Sequence, residues 1–362
     1  MTTARTGAGT DPGGHARVLA FQIGSLGDTV LSLPALHALR AHVGPAATIT
    51  VLHDAGPSDR VAPTSAIPTG LVDGSLRFPS PESGPWHRTT GAVRLLATLR
   101  RRRYDLVVNL ALAERSARSL RRDRAFFRLA GIGAVVGFDQ VALDAGAPAV
   151  NEAQVRLDRL GALGISTELG TGPWYVADAD AIEEAARWRS AAGLADRAIA
   201  TVAPATLMAA KRWTSDRWVE LGLRLRTELD LEPVVLGGPA DRAEAAALVR
   251  AWGGGAGAAG ALSPAGSAAL AAGAAVHIGV DTGTTHLAAA AGTPVVALYS
   301  HRAPIERWAP LGADRSIVHH PVPCAGCEAV DCPVAGHPCM DEITVEQVWA
   351  RVVAALDQGP GR

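Results

Sequence analysis

The 362 residues carry 34 Lys and Arg against 35 Asp and Glu, a formal net charge of −1 that gives bulk electrostatics no footing for nucleic-acid binding. With 48% hydrophobic residues and no uninterrupted apolar run of about 18 or more, the chain reads as two well-packed domains without a transmembrane segment. The small, polar, Gly-rich opening at 1–16 has no apolar core of a signal peptide, so the expectation is a cytoplasmic protein with a loose N-terminal tail.

Arg17-Val-Leu-Ala-Phe-Gln-Ile23 is a continuous apolar run that predicts a buried strand, and Gly24-Ser-Leu-Gly27-Asp28-Thr29 is a turn before a helix over 30–42. Two glycines, Gly24 and Gly27, stand where Gly-x-Gly-x-x-Gly would need three, which disfavours dinucleotide binding. Asp28 fits helix capping, which by itself would explain an Asp in that place. A second strand is predicted over 48–53. A Pro- and Gly-rich stretch then runs through Pro85 with a short strand near 75–78. Next come a helix over 90–103 with a basic end and a buried strand over 104–110. Arg115, Arg118, Arg121, Arg122, Arg124 and Arg128 follow at helical spacing. Such a row is either a solvated face or, through Arg115, Arg118 and Arg122, a site for the phosphate or carboxylate groups of an acceptor. Residues 135–137 and a helix around 152–163 complete a first domain, 17–172, which Gly-Thr-Gly-Pro at 170–173 closes.

The second domain is expected over 173–345, with a helix from Ala181 and a strand over 198–204. Asp178-Ala-Asp180 has the form of a metal-binding pair, but helix capping explains it. In Pro204-Ala-Thr206-Leu-Met-Ala-Ala-Lys211-Arg-Trp213, Lys211 is the one lysine of the chain, all other basic side chains apart from histidine being arginine. A strand over 232–236 ends in Gly237-Gly-Pro239-Ala-Asp241, and Ser263-Pro264 opens a helix to Ala272. A strand over 275–280, a turn at 281–285, an Ala-rich helix from about His286 and a strand over 294–299 then form a β-α-β unit with parallel strands covered on both faces. Small residues in that turn let backbone amides approach a ligand. The helix N-terminus adds unpaired N–H groups and a positive dipole end, so a diphosphate is the natural guest, unless Asp281 and Thr282 merely cap the helix. Four cysteines crowd into Cys324-x2-Cys327-x4-Cys332-x6-Cys339. They are expected as reduced thiols packed under a loop, with zinc as the alternative. An amphipathic helix over 343–357 ends the chain, and the segment 346–362 is expected to pack back on the first domain.

Three separated motifs agree in order and spacing with one family: Gly24-Ser-x-Gly27-Asp28 continuing through Leu33-Pro34, Lys211-x-Trp213, and Asp281-Thr-Gly-x-x-His286. From about Arg17 to Val348 the chain resembles glycosyltransferase family 9, the heptosyltransferases of lipopolysaccharide core assembly. The resemblance implies an α/β architecture of two facing Rossmann-like domains, the GT-B fold, with an interdomain cleft. The first domain would bind the acceptor and the second a nucleotide-sugar. Asp28 would be the catalytic base. Thr206, Lys211 and the turn of Asp281, Thr282, Gly283, Thr284, Thr285 and His286 would hold the donor diphosphate, and Asp241 or Glu244 the nucleoside. The implied reaction is an inverting, metal-independent transfer that uses no cofactor. Its donor would be ADP-heptose, and its acceptor a saccharide or glycolipid of the lipopolysaccharide core, or a natural product, with room for peripheral membrane contact and no nucleic-acid partner. A non-catalytic nucleotide-sugar binding protein would need no base at Asp28, and a sugar-nucleotide epimerase of the same architecture would carry other motifs.

Overall fold

The computed structural model describes residues 15–54, 61–78, 85–139, 149–312 and 315–357. Nearly all of the expected N-terminal tail, parts of the Pro- and Gly-rich stretch and the final residues 358–362 lie outside the described residues. The fold is α/β, built on two parallel sheets. The first contains β1 (Arg17–Gln22), β2 (Thr48–Asp54), β3 (Gly74–Phe78), β4 (Leu106–Asn109) and β5 (Ala134–Val136) in the order β3-β2-β1-β4-β5. The second contains β6 (Ile199–Ala203), β7 (Glu232–Val235), β8 (Ala256–Gly257), β9 (Val276–Val280), β10 (Val295–Tyr299) and β11 (Arg315–His319) in the order β11-β10-β9-β6-β7-β8. Helices cover both faces of a parallel sheet, which is why the central strands are unbroken apolar runs. Two strands escaped the sequence reading. β8 is two residues in a Gly-rich stretch, and β11 is a partly buried edge strand whose apolar run is short.

The helices are α1 (Leu26–Val30), α2 (Leu33–Val43), α3 (Pro85–Arg102), α4 (Ala117–Leu129), α5 (Glu152–Asp158), α6 (Ala179–Ala191), α7 (Ser215–Leu229), α8 (Arg242–Trp252), α9 (Pro264–Ala272), α10 (Gly283–Ala290), α11 (Ile305–Trp308), α12 (Pro338–Asp341) and α13 (Val345–Asp357). The helix expected over 30–42 is α2, which starts at Leu33 with Pro34 in its first turn, and the stretch 24–29 expected as a turn holds most of the short helix α1. α10 starts at Gly283, so Gly283–Thr285, expected as turn, form its first helical turn.

On one face of the first sheet α3 and α4 bury Leu95, Leu99, Leu120 and Phe127 against Phe21 and Val107. On the other face the core beneath α2 continues into the second half of the chain through Ala268, Leu287, Ala290 and Leu311. The connecting segment is pinned between the halves. The amides of Trp174 and Tyr175 both donate to the Ala290 carbonyl, each at 2.8 Å, and His37 Nε2 meets the Trp174 carbonyl at 2.9 Å. Asp178 caps α6 by accepting from the Ala181 amide at 2.9 Å, so Asp178-Ala-Asp180 is a helix start. The last helix corrects an expectation. α13 buries Val345, Val348 and Val352 in the core under the second sheet, where β9, β10 and β11 offer a matching apolar face, and not against the first domain.

One polar chain lies within the second sheet. Thr201 on β6, His277 on β9 and Thr285 on α10 are all fully buried. Thr285 Oγ1 donates to the Val280 carbonyl at 2.7 Å, so its oxygen is left to accept from His277 Nε2 at 3.3 Å, and His277 Nδ1 accepts from Thr201 Oγ1 at 3.0 Å. Burial pulls the imidazole from 6.5 to about 3 and keeps it neutral. Between those values the unfolded chain binds a proton that the native chain does not, so this contribution to stability is complete above about pH 6.5 and is lost as pH falls toward about 3. His277→Gln removes the titration while retaining a donor and an acceptor. Urea unfolding between pH 4 and 7 is expected to give a variant whose stability depends less steeply on pH, by up to about 1.4 kcal/mol per pH unit. Equal slopes would show that His277 is not the group responsible.

Candidate active site

In each sheet the strand order reverses beside the first strand, between β1 and β4 in one and between β6 and β9 in the other. Loops leaving the carboxyl ends of strands diverge at such a point and open a crevice for a ligand. The motif residues fall there by position alone: Asp28 follows β1, Lys211 follows β6 and Asp281 follows β9. The two crevices face each other, for the first turns of α1 and α10 touch. A Cβ on Gly27 would lie 3.1 Å from His286 Cδ2 and 3.4 Å from Gly283 Cα, and one on Gly283 would lie 2.9 Å from Leu26 Cδ2 and 3.1 Å from the Gly27 nitrogen. Glycine at both positions is what permits this approach.

Asp28 is the third residue of α1 and is half-buried. Its Oδ2 accepts from the Ser25 amide at 2.6 Å and from Ser25 Oγ at 2.8 Å, while Oδ1 takes no hydrogen bond among the described residues. The two readings of Asp28 are therefore compatible, since one oxygen caps the helix and the other is available. Its backbone carbonyl accepts from Ser32 Oγ at 3.1 Å and from Arg156 at 2.7 Å.

Across the crevice, Lys211 Nζ lies 2.6 Å from Asp281 Oδ2 and His286 Nε2 lies 3.5 Å from Asp281 Oδ1. Burial pushes the Asp281 carboxyl up, but the His286 hydrogen bond and the Lys211 charge outweigh it and hold the group below the usual carboxylate range. Trp213 fixes the lysine loop by burying its ring against Trp218 and donating from Nε1 to the Ile343 carbonyl at 2.8 Å. Thr282, Gly283 and Thr284 are half-buried around the start of α10, with Thr282 at the N-cap. Thr206 lies in the loop after β6, and its Oγ1 accepts from the Met208 amide at 3.3 Å.

Several expected members are placed otherwise. Thr285 turns inward, its hydroxyl engaged by Val280 and His277, so its side chain does not face the crevice. Asp241 closes the turn after β7 by accepting from the Gly238 amide at 2.7 Å, and Glu244 is half-buried one turn on in α8. Two of the three acceptor arginines, Arg115 and Arg122, are drawn together on one carboxylate, Asp123. Arg115 precedes the α4 N-cap, stacks 5.6 Å over the Phe21 ring and pairs with Asp123, which also takes Arg122 at 2.8 Å; Arg118 is exposed. All four cysteines are free thiols around one small cavity. Among the described residues no group of three or more His, Cys, Asp or Glu side chains is arranged to hold a metal ion, and no helix is long and apolar enough to cross a membrane.

Sequence reasoning missed a buried charge cluster between the halves. Glu152 of α5 is fully buried, and its Oε1 accepts from Nε and Nη2 of Arg307 on α11 at 2.8 and 2.6 Å. Arg307 also pairs with Glu114, and Asn151 Nδ2 donates to the Glu306 and Ala309 carbonyls at 3.2 and 3.0 Å. The Glu152 and Arg156 spacing of i,i+4 was the one local signal. His277 had one too: a polar residue inside an apolar strand run needs a partner.

Glycosyltransferase family 9 (heptosyltransferase) matches over residues 92–336. A family 9 glycosyl transferase from Veillonella parvula has a similar structure, with TM-score 0.75 at 18% identity over 97% of this chain and 99% of that one. So does E. coli ADP-heptose lps heptosyltransferase II, with TM-score 0.69 at 19% identity over 95% of this chain and 100% of that one. E. coli heptosyltransferase WaaC, solved with ADP, gives 0.63 at 18% identity over 94% of this chain and 99% of that one. No curated protein matches. At these identities the structural likeness establishes the fold, the GT-B arrangement of two Rossmann-like domains. Matched to the family over most of its length, the chain belongs to glycosyltransferase family 9 and is a glycosyltransferase.

Proposed function

We propose that the protein transfers heptose from ADP-heptose to an acceptor hydroxyl in one inverting, metal-independent step in the cytoplasm. What supports this reading is the contact of α1 with α10, by which Gly27, next to Asp28, approaches His286, itself beside Asp281 and through it Lys211. The acceptor hydroxyl attacks the anomeric carbon from the side of the first domain and gives its proton to Asp28 Oδ1. The bond from that carbon to the diphosphate breaks, and the electron pair leaves with ADP. Negative charge grows on the departing phosphate oxygens. Lys211 has three N–H groups, and Asp281 engages two, through Oδ2 at 2.6 Å and its carbonyl at 3.4 Å, so the ammonium still has one donor to offer a phosphate. The amides of Thr282, Gly283, Thr284 and Thr285 at the α10 N-terminus supply fixed dipoles for the same charge. Thr206 and either Asp241 or Glu244 border the donor, and Arg115, Arg118 and Arg122 the acceptor side. ADP as the nucleotide is favoured by the likeness to heptosyltransferases solved with ADP and with an ADP-heptose analogue. The acceptor class is a saccharide or glycolipid of the lipopolysaccharide core, or a natural product of comparable polarity. Mass spectrometry after incubation with ADP-heptose, UDP-sugars and GDP-sugars tests the donor. Turnover of a UDP- or GDP-sugar alone would refute ADP-heptose.

Two variants divide the mechanism. Lys211→Ala removes a charge-assisted contact and is expected to weaken ADP binding by about 1.5–3 kcal/mol in calorimetry. Unchanged affinity would remove Lys211 from the site. Asp28→Asn keeps an oxygen for Ser25 and so preserves the cap, but it cannot take a proton. Melting temperature and ADP affinity should hold while kcat falls roughly 10²–10⁴-fold. Near-normal turnover would sink the assignment of Asp28 as base.

A further inference from the structure

We propose that Arg307, on the donor-domain helix α11, is a positioning residue that sets Asp28 from a distance by keeping Glu152 satisfied, so that Arg156 is left to hold the Asp28 backbone. The inference rests on the reading of Asp28 as the base. Arg156 is fully buried, and its Nη1 donates to the Asp28 carbonyl at 2.7 Å. Its Nε and Nη2 have no hydrogen-bond partner among the described residues. The closest opposite charge is Glu152 Oε2, one helical turn away and 3.5 Å from Nη2. Glu152 is also fully buried, and its ionic contacts at hydrogen-bond length come from Arg307, with the Ala113 amide at 3.3 Å from each oxygen.

A buried carboxylate stripped of its partner takes another. With Arg307 in place, Arg156 is shared between a distant Glu152 and a near Asp28 carbonyl. Without it, the unsatisfied N–H groups of Arg156 are within reach of Glu152, and turning to them draws Nη1 off Asp28. Because Arg307 belongs to the second domain and Glu152 to the first, this contact exists only while the halves are together. Asp28 is thereby held in place in the same state that brings it opposite the donor crevice.

The experiment uses Arg307→Gln, Glu152→Gln and the double variant of the full chain. Amide hydrogen exchange over residues 26–32 is the substrate-independent readout, and ADP release from ADP-heptose gives kcat and KM. In Arg307→Gln, α1 is expected to exchange at least fivefold faster and kcat to fall about tenfold, with KM for the donor within twofold. The double variant is expected to recover most of the α1 protection and of kcat, because a neutral amide in place of the Glu152 carboxylate no longer competes for Arg156. A simple clamp between the domains predicts the opposite, a double variant no better than the single one. Unchanged α1 exchange in Arg307→Gln, or no recovery in the double, overturns the proposal. If Arg307→Gln does not fold, the double variant is compared with Glu152→Gln: equal α1 exchange is expected, because without the carboxylate Arg307 no longer bears on Arg156, and at least fivefold faster exchange in the double overturns the proposal. Turnover of Asp28→Asn reports separately on the base, so a normal Arg307→Gln beside an inactive Asp28→Asn rejects this inference alone.

Discussion

Two helix N-termini meet across the cleft, and their like-signed dipole ends would repel if nothing negative lay beside them. Asp28 in the first turn of α1 and Asp281 just ahead of α10 supply that charge, and Lys211 and His286 in turn balance Asp281. The junction is thus a layered arrangement of positive and negative groups with a surplus of N–H donors. Its closeness uses Gly27 and Gly283, since a methyl group at Gly27 would press on His286 Cδ2 at 3.1 Å and one at Gly283 on Leu26 Cδ2 at 2.9 Å and the Gly27 nitrogen at 3.1 Å.

The second tie between the halves is ionic and deeply buried. Ion pairs such as Glu152 with Arg307 bring little net stability over a well-packed apolar contact, because both groups lose water, yet breaking one partner is costly. Their value lies in specificity of placement. An apolar contact tolerates sliding, whereas a guanidinium with two nitrogens on one carboxylate oxygen fixes α11 against α5. Asn151 adds to this by binding two carbonyls that flank the end of α11.

Much of the fold was legible because strands buried on both faces write themselves as apolar runs, and helix starts such as Ser263-Pro264 carry their own capping signal. β8 and β11 were not, being edge strands that lack the continuous burial the pattern depends on. That Asp28, Lys211 and Asp281 lie beyond the carboxyl ends of β1, β6 and β9 follows from the apolar runs before them, whereas their proposed roles rest on the motifs shared with the family. The Arg307 contact joins residues 155 apart, and no local pattern encodes such a partner. Thr285 illustrates a finer limit, since the sequence puts it in the turn but only the helical phase of α10 turns its hydroxyl inward. The stripe on α13 likewise announces that the helix packs, and leaves open on what.

The apolar core under α2 does not stop at the domain boundary but runs on through Leu287 and Ala290 of α10, Ala268 of α9 and Leu311. Either half produced alone would present that surface to water, and Glu152 and Arg307 would lose each other. Unfolding one half therefore uncovers apolar surface on the other. Recombination between relatives faces the same constraint: an exchange of nucleotide-binding halves succeeds only when α9, α10 and α11 travel with the side chains of α2 and α5 that they have been fitted to.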